Sequence, residues 1–239
     1  MFNEPFLQTP NQDFVDKTIP FYYDRERESY KKDFKFLKKY KNGLYLEKPI
    51  EYKFNRLGYR CKYADIPNSN YILVLGCSHT FGSGLHEEHR YSNLLEDNYN
   101  LPVLNISFPG GAPNLIRDNL IHLCTSDKRL PELVIIQWPN KHRLTIGRET
   151  YGPWTEKYLG SKNWFTRGLE YVSEYSALAK YQSNKLLSKF KVPLIEFDIY
   201  GNQNFVIDVA RDRDHPGIDS NKKICEYIIG KINDLHTFT

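Results

Sequence analysis

The apolar residues of this chain fall into short unbroken runs, and longer amphipathic stretches lie between them. Tyr71-Ile72-Leu73-Val74-Leu75 is the clearest run: five apolar residues, then an abrupt change at Gly76 to Cys77-Ser78-His79-Thr80. That is the length and composition of a strand covered on both faces that ends in a tight turn. Residues 101–106, Leu133–Trp138 and residues 192–199 repeat the pattern. Between them, helical spacing predicts helices over Tyr91–Tyr99, Pro113–Thr125 and residues 169–190, and Ile224, Cys225, Ile228, Ile232 and Leu235 predict a last one. Strands alternating with helices in this way give a parallel sheet with helices on both faces. The expectation is therefore an α/β domain over residues 66–239, with irregular aromatic-rich chain over 144–165.

The first 65 residues read differently. Pro5, Pro10 and Pro20 prevent a continuous helix over 1–20, which suggests an arm lying on the body or on a partner. Tyr30, Phe34, Phe36 and Leu37 then predict an amphipathic helix over 24–40, stopped by Asn42-Gly43. Weak alternation over 44–63 predicts short strands around a turn at residues 55–60. Residues 1–65 are thus expected to be an N-terminal extension packed on the domain, offering a surface for self-association or a larger assembly.

Charge and cysteine content narrow the function classes. The chain has 33 Lys plus Arg against 29 Asp plus Glu, a net charge of +4 that is too small and too dispersed to argue for nucleic acid. The one dense basic run, residues 31–41, reads either as a basic patch or as a solvated helix face, and the second reading is the simpler. The four cysteines, Cys61, Cys77, Cys124 and Cys225, form no C-x-x-C pair, so reduced thiols and a reducing compartment are expected. No apolar run reaches membrane-span length, and the N-terminus lacks a basic start followed by an apolar stretch. Neither membrane attachment nor a secretion signal is expected. His79, His86 and His89 tempt a metal reading, with His86 and His89 at i and i+3, but no third ligand stands at a telling distance, so no metal or organic cofactor is expected.

The chemistry collects at the strand ends. In a parallel sheet these ends share one edge, so residues far apart in sequence can meet there. Ser78, Gly110 and Asn140 follow three successive predicted strands, and Arg211-Asp212-Arg213-Asp214-His215-Pro216-Gly217 lies between the fourth strand and the last helix. Serine attack on an ester needs a base, a carboxylate that fixes the base's tautomer, and donors for the oxyanion, and each has a candidate here. Gly76-Cys77-Ser78-His79-Thr80 lacks the second glycine of a G-x-S-x-G elbow, which excludes the α/β-hydrolase pattern.

These blocks resemble the SGNH, or GDSL-type, hydrolases over about residues 71–235: Gly76-Cys77-Ser78 at a strand end, Asn105 followed by Gly110, Asn140 after an apolar strand, and Asp212-Arg213-Asp214-His215-Pro216. The resemblance implies a three-layer α/β/α sandwich around a mostly parallel sheet. It also implies Ser78 as nucleophile, His215 as base and Asp212 as its orienting carboxylate, with Asp214 the rival. Oxyanion donors would be the Ser78 and Gly110 N–H groups and the Asn140 side-chain amide. Cys77 stands where the family commonly has Asp, and Trp138-Pro139-Asn140-Lys141 where it often has Gly-x-Asn-Asp; both changes bear on pocket shape. Each residue also has a plainer reading, as turn former, cap or surface charge.

The function expected is an ester hydrolase removing acetyl or another small acyl group from a carbohydrate through an acyl-serine. An O-acyltransferase and a non-catalytic module with the same fold are the alternatives. Trp138, Tyr151 and Trp154, with Tyr158 and Trp164, could be a sugar-stacking wall or the packing of an insertion.

Overall fold

The structure is a computed structural model that describes residues 12–21, 48–63, 65–146, 149–152, 162–201 and 203–235. The predicted helix over 24–40, the basic run 31–41, and Trp154 and Tyr158 lie outside these residues. Four apolar runs form one parallel sheet: β3 (Ile72–Leu75), β4 (Val103–Asn105), β5 (Leu133–Trp138) and β8 (Leu194–Asp198), in the spatial order β4-β3-β5-β8. Every residue of β3 and β5 is buried, as their unbroken apolar composition requires.

Alternate residues feed two cores. Leu73, Leu75, Leu104, Val134 and Ile136 point to one face, where Ile116, Leu120 and Leu123 of α3 (Pro113–Thr125) and Leu187 of α4 (Lys162–Lys189) cover them. Ile72, Val74, Val103, Ile135, Ile195 and Phe197 point to the other, under Tyr91 and Leu95 of α2 (Tyr91–Tyr99) and Ile224, Ile228 and Ile232 of α5 (Ile218–Asp234). Helix, sheet and helix make three layers, which is the expected fold class.

Three elements differ from the sequence reading, the first being α4, which begins at Lys162 rather than at residue 169. The stretch expected to be irregular contains a hairpin, β6 (Leu144–Ile146) paired antiparallel with β7 (Glu149–Tyr151). Its strands are too short to show alternation, but Thr145 is tied to α3 by its N–H donating to Asn114 Oδ1 at 2.9 Å, while Asn114 Nδ2 donates to the Thr145 carbonyl at 2.8 Å. The last helix begins at Ile218, six residues ahead of the apolar periodicity that predicted it. Asp208 supplies the start: its carboxylate accepts the N–H of Asp219 at 3.1 Å and of Ser220 at 2.8 Å, satisfying donors that a helix terminus leaves unpaired.

Ahead of the sheet, β1 (Thr18–Pro20) pairs antiparallel with β2 (Glu51–Lys53). Phe21, Ile50, Tyr52 and Phe54 form a third core with Phe81, Leu85, Ala210 and Ile218. These partners belong to the turn after β3 and to the approach to α5, so this small sheet packs where the candidate chemistry is.

Candidate active site

The chain passes from β3 to β4 on one side and then returns to place β5 on the other side of β3. The direction of winding therefore changes between β3 and β5, and a crevice opens beyond the carboxyl ends of two such strands. Ser78 follows β3 and Asn140 follows β5, and both line one cavity of about 840 Å³ together with His215.

Ser78 opens a single helical turn, α1 (Ser78–Phe81), closed by Gly82 in the left-handed region at φ 74°. Gly76 lets this turn approach β5: a Cβ there would stand 2.1 Å from Thr80 Oγ1 and 3.2 Å from the Gln137 carbonyl. A polar lattice fixes the turn from below. Thr80 Oγ1 donates to Gln137 Oε1 at 2.6 Å, and Tyr91 OH donates to Thr80 Oγ1 at 3.2 Å. Asn105, 3% exposed, donates through Nδ2 to the Thr80 carbonyl at 3.1 Å and to Ser92 Oγ at 2.9 Å. Asn105, part of one block of the resemblance, thus sits under the Ser78 turn rather than in the cavity.

His215 arrives on a loop held at several points. The Ala210 N–H donates to the His215 carbonyl at 2.7 Å, Arg213 turns the chain at φ 66°, and the Arg211 N–H donates to the Gly84 carbonyl at 3.1 Å. Asp212 Oδ2 stands 2.7 Å from His215 Nδ1, while Asp212 Oδ1 accepts the backbone N–H of Asp214 and His215, each at 3.1 Å. Burial of Asp212 favours its neutral form, but the hydrogen bonds and charge of His215 and the two backbone donors outweigh it and lower its pKa. An ionised Asp212 accepts from Nδ1–H, which leaves Nε2 as the basic nitrogen of His215. The rival, Asp214, is exposed on the cavity rim and gives Asp212 only its backbone N–H. Among the described residues no hydrogen bond joins Ser78 Oγ to His215.

Asn140 Oδ1 accepts the His142 N–H at 2.9 Å, so the amide Nδ2 is the end able to donate. Gly110 occupies a different place. With Pro109 before it and φ 81°, it forms the corner of a turn closed by the Gly111 N–H donating to the Phe108 carbonyl at 3.2 Å. It does not line the cavity, whereas Gly111 lies against the turn itself: a Cβ there would be 3.0 Å from the Gly76 carbonyl.

Of the three aromatic residues expected against a sugar, Trp138 lines the cavity, is 6% exposed and donates from Nε1 to Glu196 Oε2 at 2.7 Å. Tyr151 lies on β7 opposite Leu144 and does not line the cavity. Trp154 is outside the described residues.

His79, which the sequence offered only beside His86 and His89 as a metal ligand, lies instead in the cavity wall. Its ring stands edge-on to His215 at 5.1 Å between centroids and to Tyr200 at 5.4 Å. Burial first, then the charges of His215 and Arg143, hold its pKa down to about 3, so it is a neutral wall beside His215. Only its adjacency to Ser78 hinted at this in the sequence.

His86 and His89 pack ring to ring at 6.3 Å, and among the described residues no group of three or more His, Cys, Asp or Glu side chains could hold a metal. All four cysteines are buried and free. No helix among the described residues is long and apolar enough to cross a membrane.

No family model and no curated protein matches this sequence. Among solved structures, the chain is similar to a psychrotrophic esterase from Pseudoalteromonas sp. at 16% identity, covering 70% of this chain and 98% of that one with a TM-score of 0.40. It is similar to a family two carbohydrate esterase from Clostridium thermocellum at 14% identity, covering 72% and 66% with a TM-score of 0.41. A carbohydrate acetylesterase from Sinorhizobium meliloti is similar at 13% identity, over 70% and 100% of the two chains, with a TM-score of 0.38.

Proposed function

We propose that this chain is an SGNH-type serine ester hydrolase that removes a small acyl group from a carbohydrate. The observation that carries the reading is the meeting of Ser78, Asn140 and His215 around one cavity, with the Asp212 carboxylate 2.7 Å from Nδ1 of His215. In the reaction, Ser78 Oγ attacks the ester carbonyl while His215 Nε2 takes its proton. The oxyanion is met by the Asn140 amide and by the N–H of Ser78. The C–O bond to the sugar breaks as His215 returns the proton to the leaving oxygen. A water then attacks the acyl-serine, losing its proton to His215, and the carboxylic acid and free Ser78 are released. The cavity has room for a sugar ring, and Trp138 offers an indole in its wall.

Labelling with a fluorophosphonate and hydrolysis of 4-nitrophenyl acetate by wild type and Ser78→Ala test the proposal. Wild type is expected to be labelled at Ser78 and to hydrolyse the ester; equal rates in the two proteins would sink it. Product analysis with a sugar acceptor present separates hydrolysis from acyl transfer to a sugar hydroxyl.

A further inference from the structure

We infer that a small anion of the size of chloride binds beneath the serine turn, in the small cavity that Arg60 and Arg90 line together. The inference goes beyond the hydrolase reading and does not depend on it. Both arginine side chains are 1% exposed. Arg60 commits its Nη groups to the serine turn, donating to the carbonyls of Phe81 at 3.3 Å and of Gly82 and Leu85 at 2.8 Å. Arg90, just ahead of α2, donates from Nη1 to the Arg60 carbonyl at 2.8 Å. Its stem lies against Gly82, where a Cβ would stand 2.7 Å from Arg90 Cγ. That leaves Arg90 Nε and Nη2 and Arg60 Nε buried with no acceptor among the described residues. A buried N–H without an acceptor is costly, and a buried charge without a counter-charge more so.

The neighbouring acids do not supply that counter-charge. Glu96 lines the cavity, but Lys62 and the Tyr63 hydroxyl hold its Oε1, and the Val103 N–H donates to its Oε2 at 3.1 Å. Glu87 is half-buried beside the cavity and Glu88 is exposed, and neither accepts a hydrogen bond from the three unpaired nitrogens. The two guanidinium groups instead feel each other. Burial first, and then the charge of Arg90, lower the pKa of Arg60 to about 9, and burial lowers that of Arg90. Guanidinium groups hold their proton at neutral pH even so. Asn93, whose Oδ1 accepts from Ser92 Oγ at 3.3 Å, adds its amide Nδ2 as a further donor in the cavity wall. The space has room for about one water-sized particle, which suits a single-atom anion and excludes phosphate, sulfate or a carboxylate. A water there would accept hydrogen bonds but leave both charges unbalanced.

The experiment follows thermal unfolding of the full chain at fixed ionic strength while sodium gluconate is replaced by sodium chloride, from about 10 to about 300 mM chloride. A ligand bound only by the folded chain raises stability with the logarithm of its concentration, so wild type is expected to gain at least about 2 °C in Tm over this range. Sodium bromide is expected to act as chloride does. Arg90→Met keeps the stem against Gly82 and removes the charge, and it is expected to melt at the same temperature in gluconate and in chloride. A wild type that melts alike in both salts, or a chloride response that survives in Arg90→Met, overturns the inference. A second measurement needs wild type alone and so decides the matter even where the variant does not fold. Crystals soaked in bromide and read by anomalous scattering are expected to show a peak in contact with Arg90 and Arg60 in this cavity. A water there in place of bromide, or bromide bound only elsewhere on the surface, overturns the inference.

Discussion

At Asp212 a single side chain decides which of two neighbouring acids pairs with His215. Its Oδ2 holds His215 Nδ1 at 2.7 Å, and its other oxygen is saturated by two backbone N–H groups. Asp212→Asn keeps the shape but offers an amide that can hold the wrong tautomer, so ester hydrolysis is expected to fall by about 10³–10⁴-fold, read as kcat in a chromogenic assay. Asp214→Asn leaves the Asp212 pair intact and is expected to cost far less, which the same assay measures. Gly76 is decisive for a different reason. A methyl group at Gly76 would overlap Thr80 Oγ1, so Gly76→Ala is expected to destabilise the fold by about 1–3 kcal/mol in chemical denaturation. The placement of Ser78 and Asn140 after strands, and of Asp212 and His215 ahead of a helix, was legible because those elements are recognisable by their apolar pattern. His79 was not, because its role depends on where the His215 loop returns, which no local pattern records.

Among the elements, the apolar runs told most. The strand run Leu133–Trp138 and the helices Tyr91–Tyr99 and Pro113–Thr125 appear with the predicted bounds, since burial on both faces or on one stripe leaves a periodic trace. The hairpin β6–β7 left none: three residues per strand are too few, and its anchoring to Asn114 is tertiary. The start of α5 was hidden likewise, because its cap comes from Asp208, ten residues upstream of Ile218. Ser220 shows how tightly that cap is built, since its Oγ donates to Asp208 Oδ1 at 2.6 Å in addition to the two backbone bonds. Asp208→Ala is expected to cost about 1–3 kcal/mol of stability and to loosen the loop that carries His215. Urea denaturation reads the first effect and hydrogen exchange over residues 209–217 the second.

For the molecule as a whole, a half-buried neutral histidine sets a dependence on acidity. His79 has a folded pKa of about 3 against an ordinary 6.5. Between these values the unfolded chain binds a proton that the folded chain refuses, so stability falls as pH is lowered through that window. The slope from this one group reaches up to about 1.4 kcal/mol per pH unit. Thermal melts from pH 7 to pH 4 are expected to drop more steeply for wild type than for His79→Asn, and parallel curves would refute the assignment.

Arg60 carries a consequence for how much chain makes a working unit. Its guanidinium is 1% exposed and donates to the carbonyls of Gly82 and Leu85, each at 2.8 Å, with its carbon 4.2 Å from the Tyr52 ring centre. The Tyr52 hydroxyl in turn accepts the Gly84 N–H at 2.7 Å. The segment that precedes the sheet thus closes hydrogen bonds that the serine turn does not close for itself. A protein cut to begin at residue 66 is expected to keep its four central strands but lose labelling at Ser78, whereas one beginning at residue 48 retains these bonds. For engineering, residues 48–63 and the serine turn form one piece: the smallest transferable cassette is longer than the sheet it surrounds.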